Sequence, residues 1–181
     1  MLLQAPGIEI EIWRDETQEA YLFDEIMSLS SKPDLGLAST SIGIRIADGI
    51  STRTVLIRAF GFSSGRENSG VLLDDLLIVV IGNRICGLEV PGLAVKWHVE
   101  ADPSAVFGVH AIPGVDTDVI VHGELELLRL STTGEIKWRS GGKDIFTGEL
   151  HFIGDSIEVS DFEEDRFRFR IADGKSELLK K

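Results

Sequence analysis

GELELLRLSTTGEIKW, residues 123–138, opens on glycine and closes on Lys-Trp; GNRICGLEVPGLAVKW, residues 82–97, has the same frame and the same length. Sliding residues 78–114 forward lays them on 119–155 without a gap, since 82 moves to 123 and 97 to 138, a shift of 41. Val80 then meets Val121, Gly82 meets Gly123, and Lys96-Trp97 meets Lys137-Trp138. His110 meets His151 and Ile112 meets Ile153. The matches fall at corresponding points of a strand, a glycine turn, a strand, a turn, a strand carrying Trp, and a further strand. SIEVSDFEEDRFRFRIADGK (156–175) reads as a third, looser copy, while residues 37–77 give no convincing alignment.

The segments outside the repeat also read as strands. IEIEIW (8–13) alternates Ile8, Ile10 and Ile12 with Glu9 and Glu11, the period of two that marks a half-buried strand. SIGIRIAD (41–48) and DRFRFRIAD (165–173) do the same, and RTVLIRAF, LLIVVIG, DVIVHG, ELELLRL and EIKWR are further candidates. Asp48-Gly49, Pro91-Gly92, Pro113-Gly114, Thr133-Gly134, Gly141-Gly142, Gly154-Asp155 and Asp173-Gly174 supply turns at the short spacing of hairpin meanders. Only DETQEAYLFDEIMSL (15–29) has helical character, and its Tyr21 and Phe23 suit a strand equally.

A repeat near 40 residues with four short strands is the period of a propeller blade. Leu127, Leu130, Thr133, Gly134, Ile136 and Trp138 carry the best match, and over roughly 75–175 the pattern resembles the blades of quinoprotein-like and WD-type β-propellers. Small bacterial proteins built from a few such units are the nearest kind. The resemblance implies that Trp97 and Trp138, each ending a third strand, pack between adjacent blades. It does not carry over a quinone or a dehydrogenase activity, because full quinoprotein propellers hold more blades than 181 residues supply. The first copy also departs from the pattern, with Pro91-Gly92 facing Thr133-Gly134. The expected fold is all-β: propeller-like antiparallel four-stranded repeats in one domain, 1–181, with 1–70 an irregular N-terminal β region and 71–181 the repeats. An open sheet stack or a β-sandwich is the alternative.

The formal charge is −12. Nucleic acid needs a basic face, so that class is excluded, as are anionic membranes. One cysteine, Cys86, rules out an intrachain disulfide and reads as a small buried residue. No signal-peptide pattern stands at the N-terminus, and the longest apolar run, LLIVVI, is too short to span a bilayer. The expected location is cytoplasmic.

GFSSG (61–65) matches the G-x-S-x-G elbow of serine hydrolases, with Ser63 as nucleophile and Asp102 and His110 in triad order. The elbow needs a helix directly after it, and RENSGVLLDDLL has no helical period. His98, His110, His122 and His151 show no metal-ligand spacing. Asp74-Asp75 reads as a turn, Glu163-Glu164-Asp165 as a solvated turn lacking a calcium-loop pattern. Arg166, Arg168 and Arg170 share one face and would pair with Glu158 across the sheet, or else form a patch for an acidic ligand. Phe107 and Phe146 are expected in the core.

Loops at one end of a blade stack converge, and rigidly held loops are where binding sites sit. The binding candidates are therefore Arg66, Glu67, Asn68, Asp102, Asp144 and Thr147. No catalytic residue, metal or cofactor is expected. The leading function is a non-enzymatic protein-interaction module or scaffold, an immunity-type partner among them, with self-association compatible with the fold. The alternatives are a sugar or nucleotide binder at the blade rim and a small serine hydrolase using Ser63.

Overall fold

The computed structural model describes residues 1–16, 20–29, 39–61 and 68–179. Among these the chain is nearly all β. The first sheet comprises β1 (Leu2–Ala5), β2 (Ile8–Arg14), β3 (Glu25–Ser28), β4 (Ser39–Ala47) and β5 (Thr52–Phe60). Its order is β1-β2-β4-β5-β3, and β3 runs parallel to β5, so it is not a simple meander. Of the helical candidate at 15–29, residues 17–19 lie outside the described residues, and the described part holds a 3₁₀ turn, Ala20–Leu22, followed by β3.

Three antiparallel meanders follow, each in chain order. The second sheet holds β6 (Gly70–Leu73), β7 (Leu76–Ile81), β8 (Arg84–Glu89) and β9 (Val95–Glu100). The third holds β10 (Val106–Ile112), β11 (Val115–Gly123), β12 (Glu126–Ser131) and β13 (Ile136–Gly141). The fourth holds β14 (His151–Ile153), β15 (Ser156–Ser160), β16 (Arg166–Arg170) and β17 (Ser176–Leu179). The four-stranded unit thus begins one strand earlier than the sequence frame, and Trp97 and Trp138 lie within fourth strands rather than closing third ones.

The sheets stack face to face, and strand alternation shows how. Leu77, Val79 and Ile81 of β7 join Ile10, Ile44, Ile46 and Ile57 of the first sheet in one core. Leu76, Ile78 and Val80 of the same strand join Val119, Val121, Leu128 and Leu130 of the third sheet in another. A sheet covered on both faces has no polar side, which is why LLIVVI is buried at every position. Ile120 and Leu127 turn the other way, into a third core with Phe146, Ile157, Phe167 and Phe169. Phe146 is fully buried in it and meets Phe169 edge-on at 5.8 Å, while Phe107 is half-buried.

Both tryptophans bind the next module in the same way. The indole N–H of Trp97 donates to the Thr132 carbonyl at 2.8 Å, and that of Trp138 to the Ile171 carbonyl at 2.8 Å. Each ring also lies against a turn glycine of that module, Gly134 and Gly174 respectively. Arg139 adds bonds to the Glu100 and Ala101 carbonyls of the preceding sheet, and Arg129 reaches Ile171.

The face of the fourth sheet turned away from the third core carries an ionic cluster. Arg166 and Arg168 pair with Glu158 at 2.5 and 2.6 Å, the cross-strand arrangement that alternation predicts. Among the described residues, three cores join four sheets and none joins the fourth to the first. The fold is a propeller-like stack that stays open.

Candidate functional site

In this stack the loops joining the second sheet to the third and the third to the fourth emerge at one end with the β7–β8, β11–β12 and β15–β16 turns. Backbone bonds knit them together. Glu124 N–H donates to the Ala105 carbonyl at 2.8 Å, Phe146 N–H to Glu124 at 2.7 Å, and Phe162 N–H to Ile145 at 2.9 Å. Consecutive loops therefore form one continuous surface held by the rigid sheets beneath.

Asp102 is the centre of the lattice. It is fully buried, and one carboxylate oxygen accepts from the Leu125 and Glu126 amides at 2.8 and 3.0 Å. The other accepts from Ser104 N–H at 2.8 Å. Gly123 leaves the room for it, since a side chain there would overlap the carboxylate. Asp102 joins two sheets and presents nothing to solvent.

Asp161 does the same for the outermost loop. It is 1% exposed and accepts from the Glu163 and Asp165 amides at 3.0 and 2.9 Å. Thr147 donates its hydroxyl to the Asp161 carbonyl at 3.0 Å. The loop so pinned carries Phe162 at 68% exposure, a large ring that the local structure holds out in solvent. Glu163 and Glu164 follow it, both exposed, and Lys143 reaches Asp165 at 3.4 Å. Glu124, whose carboxylate accepts from Ser104, and exposed Asp144 lie on the same end.

Of the residues singled out in the sequence, Asn68, Asp102, Asp144 and Thr147 all stand at this end. Asn68 is exposed and its carbonyl accepts from Val109 N–H at 2.9 Å. Asp144 accepts from Ile145 N–H at 2.7 Å. Arg66 and Glu67, like Ser63, lie outside the described residues. The described chain resumes at Asn68 as a turn and strand β6.

Sequence reasoning missed Phe162 and Asp161. Their only signal was the spacing of Asp161 ahead of two further amides in a tight loop, the pattern of a side chain that caps its own turn.

The remaining titratable groups are dispersed. His98 and His151 are exposed on β9 and β14. His110 and His122 sit with ring centres 6.3 Å apart in the interior, and burial pushes His110 down to about 4. Among the described residues, no three His, Cys, Asp or Glu side chains converge as a metal-ligand set. Cys86 is fully buried, and desolvation pushes its thiol up to about 12, which leaves it in the inert neutral form. Two shallow hollows lie away from the loop end. One is bordered by Asp48, Arg53 and Pro91, the other by Gln4, Gly7 and Gly49.

No family model matches the chain, and no curated protein matches it. Solved structures do. The computationally designed Ika4 protein aligns with TM-score 0.52 and 12% identity over 66% of this chain and 75% of that one. BamB from Moraxella catarrhalis aligns with TM-score 0.56 and 14% identity over 79% of this chain and 49% of that one. The computationally designed Ika8 protein gives 0.55 and 11% over 78% and 45%. The chain thus spans about half the length of the latter two. The likeness is one of fold, the β-propeller-like repeat, and agrees with the blades read from the sequence.

Proposed function

We propose that this chain is a non-enzymatic protein-interaction module that engages a basic partner through the loop end of its blade stack. The observation that carries the reading is Phe162, 68% exposed on a loop that buried Asp161 fixes in place. An aromatic ring held rigidly in water loses little entropy on docking and buries a large apolar area. Glu163, Glu164 and Asp144 beside it favour cationic side chains and speed their approach. The chain's −12 charge acts in the same direction at longer range.

The test is affinity capture from native lysate with the wild-type chain and with Phe162→Ala and Glu163→Lys/Glu164→Lys. A partner held in stoichiometric amount by the wild type and lost by both variants, with melting temperatures unchanged, supports the reading. A partner retained by both, or no partner at all, refutes it.

A further inference from the structure

Three loops at the loop end each set an acid beside an apolar residue: Glu124-Leu125, Asp144-Ile145 and Phe162-Glu163. Backbone bonds hold the three side by side. Phe146 N–H donates to the Glu124 carbonyl at 2.7 Å and Phe162 N–H to the Ile145 carbonyl at 2.9 Å, so the Ile145 loop runs between the other two. Bonded backbones stand about 5 Å apart, which separates the two outer loops by roughly 10 Å. Leu125 is 37% exposed and Phe162 68%, while Ile145 between them is half-buried. Buried acids fix the outer two from below: Asp102 accepts from the Leu125 amide and Asp161 from the amide that follows Phe162. Around this apolar row the acids keep their charge. Lys143 pairs with Asp165, and among the described residues no lysine or arginine pairs with Glu124, Asp144 or Glu164.

We propose that what docks here is a basic peptide segment carrying one apolar side chain between lysines or arginines. The apolar side chain sits on Ile145, between Leu125 and Phe162, and the cations meet Glu124, Asp144 and Glu164. This partner chemistry presupposes that the loop end is the docking surface, and adds what the surface selects. Width limits the occupant. The Leu125 and Phe162 side chains take up part of the roughly 10 Å between their loops, which leaves room for one side chain but not for a helix, about 10–12 Å across with its side chains. An apolar anchor enclosed by rigid neighbours, with polar groups at its rim, is the arrangement that concentrates binding energy. Charge limits it as well. An acidic segment would meet three carboxylates that no cation of this chain offsets, whereas a basic one gains in approach rate and in register. The ionic part is exposed, so it weakens with salt as screening shortens to about 8 Å at physiological ionic strength.

Panning a phage-displayed random-peptide library on the full chain tests this, followed by fluorescence polarisation with the most enriched peptide. Enriched sequences should carry Lys or Arg on both sides of one apolar residue, and their affinity should fall as salt rises. Phe162→Ala, Leu125→Ser and Asp144→Lys should each weaken the peptide about tenfold or more, with circular dichroism melts unchanged. Should Leu125→Ser not fold, Asp144→Lys decides, since that side chain is exposed. A peptide that loses affinity with Phe162→Ala but keeps it with Leu125→Ser and Asp144→Lys would overturn this partner chemistry and leave the loop end as a docking surface. Enriched peptides without basic residues would overturn it in the same way. Peptides indifferent to all three changes, or no enrichment at all, would overturn both.

Discussion

Leu93 and Gly134 occupy the same turn position in consecutive sheets, and both take a positive φ, 58° and 84°. The 41-residue shift superposes them. Their difference follows from what lies opposite. Gly134 receives the Trp97 ring, and a Cβ on it would stand 2.9 Å from the indole. No indole comes to Leu93 from the first sheet, and its own side chain, fully buried among Ile10, Ile46 and Leu88, fills that space. The left-handed conformation costs a side-chain-bearing residue about 1–2 kcal/mol, which burial of the leucine offsets.

Gly134→Ala should therefore destabilise the chain by more than that strain alone, because the methyl also displaces Trp97. Leu93→Gly should destabilise it too, by roughly 2–4 kcal/mol, although glycine is what the next repeat uses: relief of strain does not compensate for the cavity. Urea unfolding measures both. A stabilised Leu93→Gly would show that the turn, not the junction, dictates the residue.

Much of this architecture was legible. The 41-residue frame, the strands and the Arg–Glu158 pairing rest on local alternation and on repetition, which one sequence displays. The order of the first sheet was not, since the parallel pairing of β3 with β5 joins Glu25 to Val55, a contact no local pattern records. At the loop end, Asp102 looked like a ligand-facing acid because a buried carboxylate satisfied by three amides and an exposed one have the same letter. Phe162 was hidden in an acidic turn whose composition says only that it is solvated.

Trp97→Phe and Trp138→Phe should lower stability by similar amounts, about 1–2 kcal/mol each, as each loses one hydrogen bond to a carbonyl and part of a ring. Thermal or urea melts of the pair check it. A large effect at one site and none at the other would mean that the two junctions are not equivalent.

Asp102→Asn should cost about 1–3 kcal/mol. The amide keeps one oxygen but turns an NH₂ group toward amide donors at Ser104 or at Leu125 and Glu126, leaving buried groups unpaired. Asp144→Asn, with one exposed acceptor contact, should change stability by less than about 0.5 kcal/mol. Equal effects would remove Asp102 from its place between the sheets.

Acid should destabilise the fold in two stages with separate causes. Burial holds His110 at about 4 against its ordinary 6.5, so between those values the unfolded chain binds a proton that the folded chain refuses. Stability contributed by the neutral imidazole is thus complete above pH 6.5 and is lost as pH falls toward 4, on the order of 3 kcal/mol. Below that, the carboxylates dominate. Hydrogen bonds from Arg170 hold Asp173 at about 2, those from Arg168 lower Glu158, and those from Thr54 and Ser51 lower Asp24 and Asp48. Their contribution is present above the ordinary carboxylate range and lost from there down toward pH 2. His110→Gln, which cannot titrate, should flatten the upper stage and leave the lower one in place. Urea midpoints from pH 7 to pH 2 for the two chains separate the stages; an upper stage that survives in His110→Gln would assign it to another group.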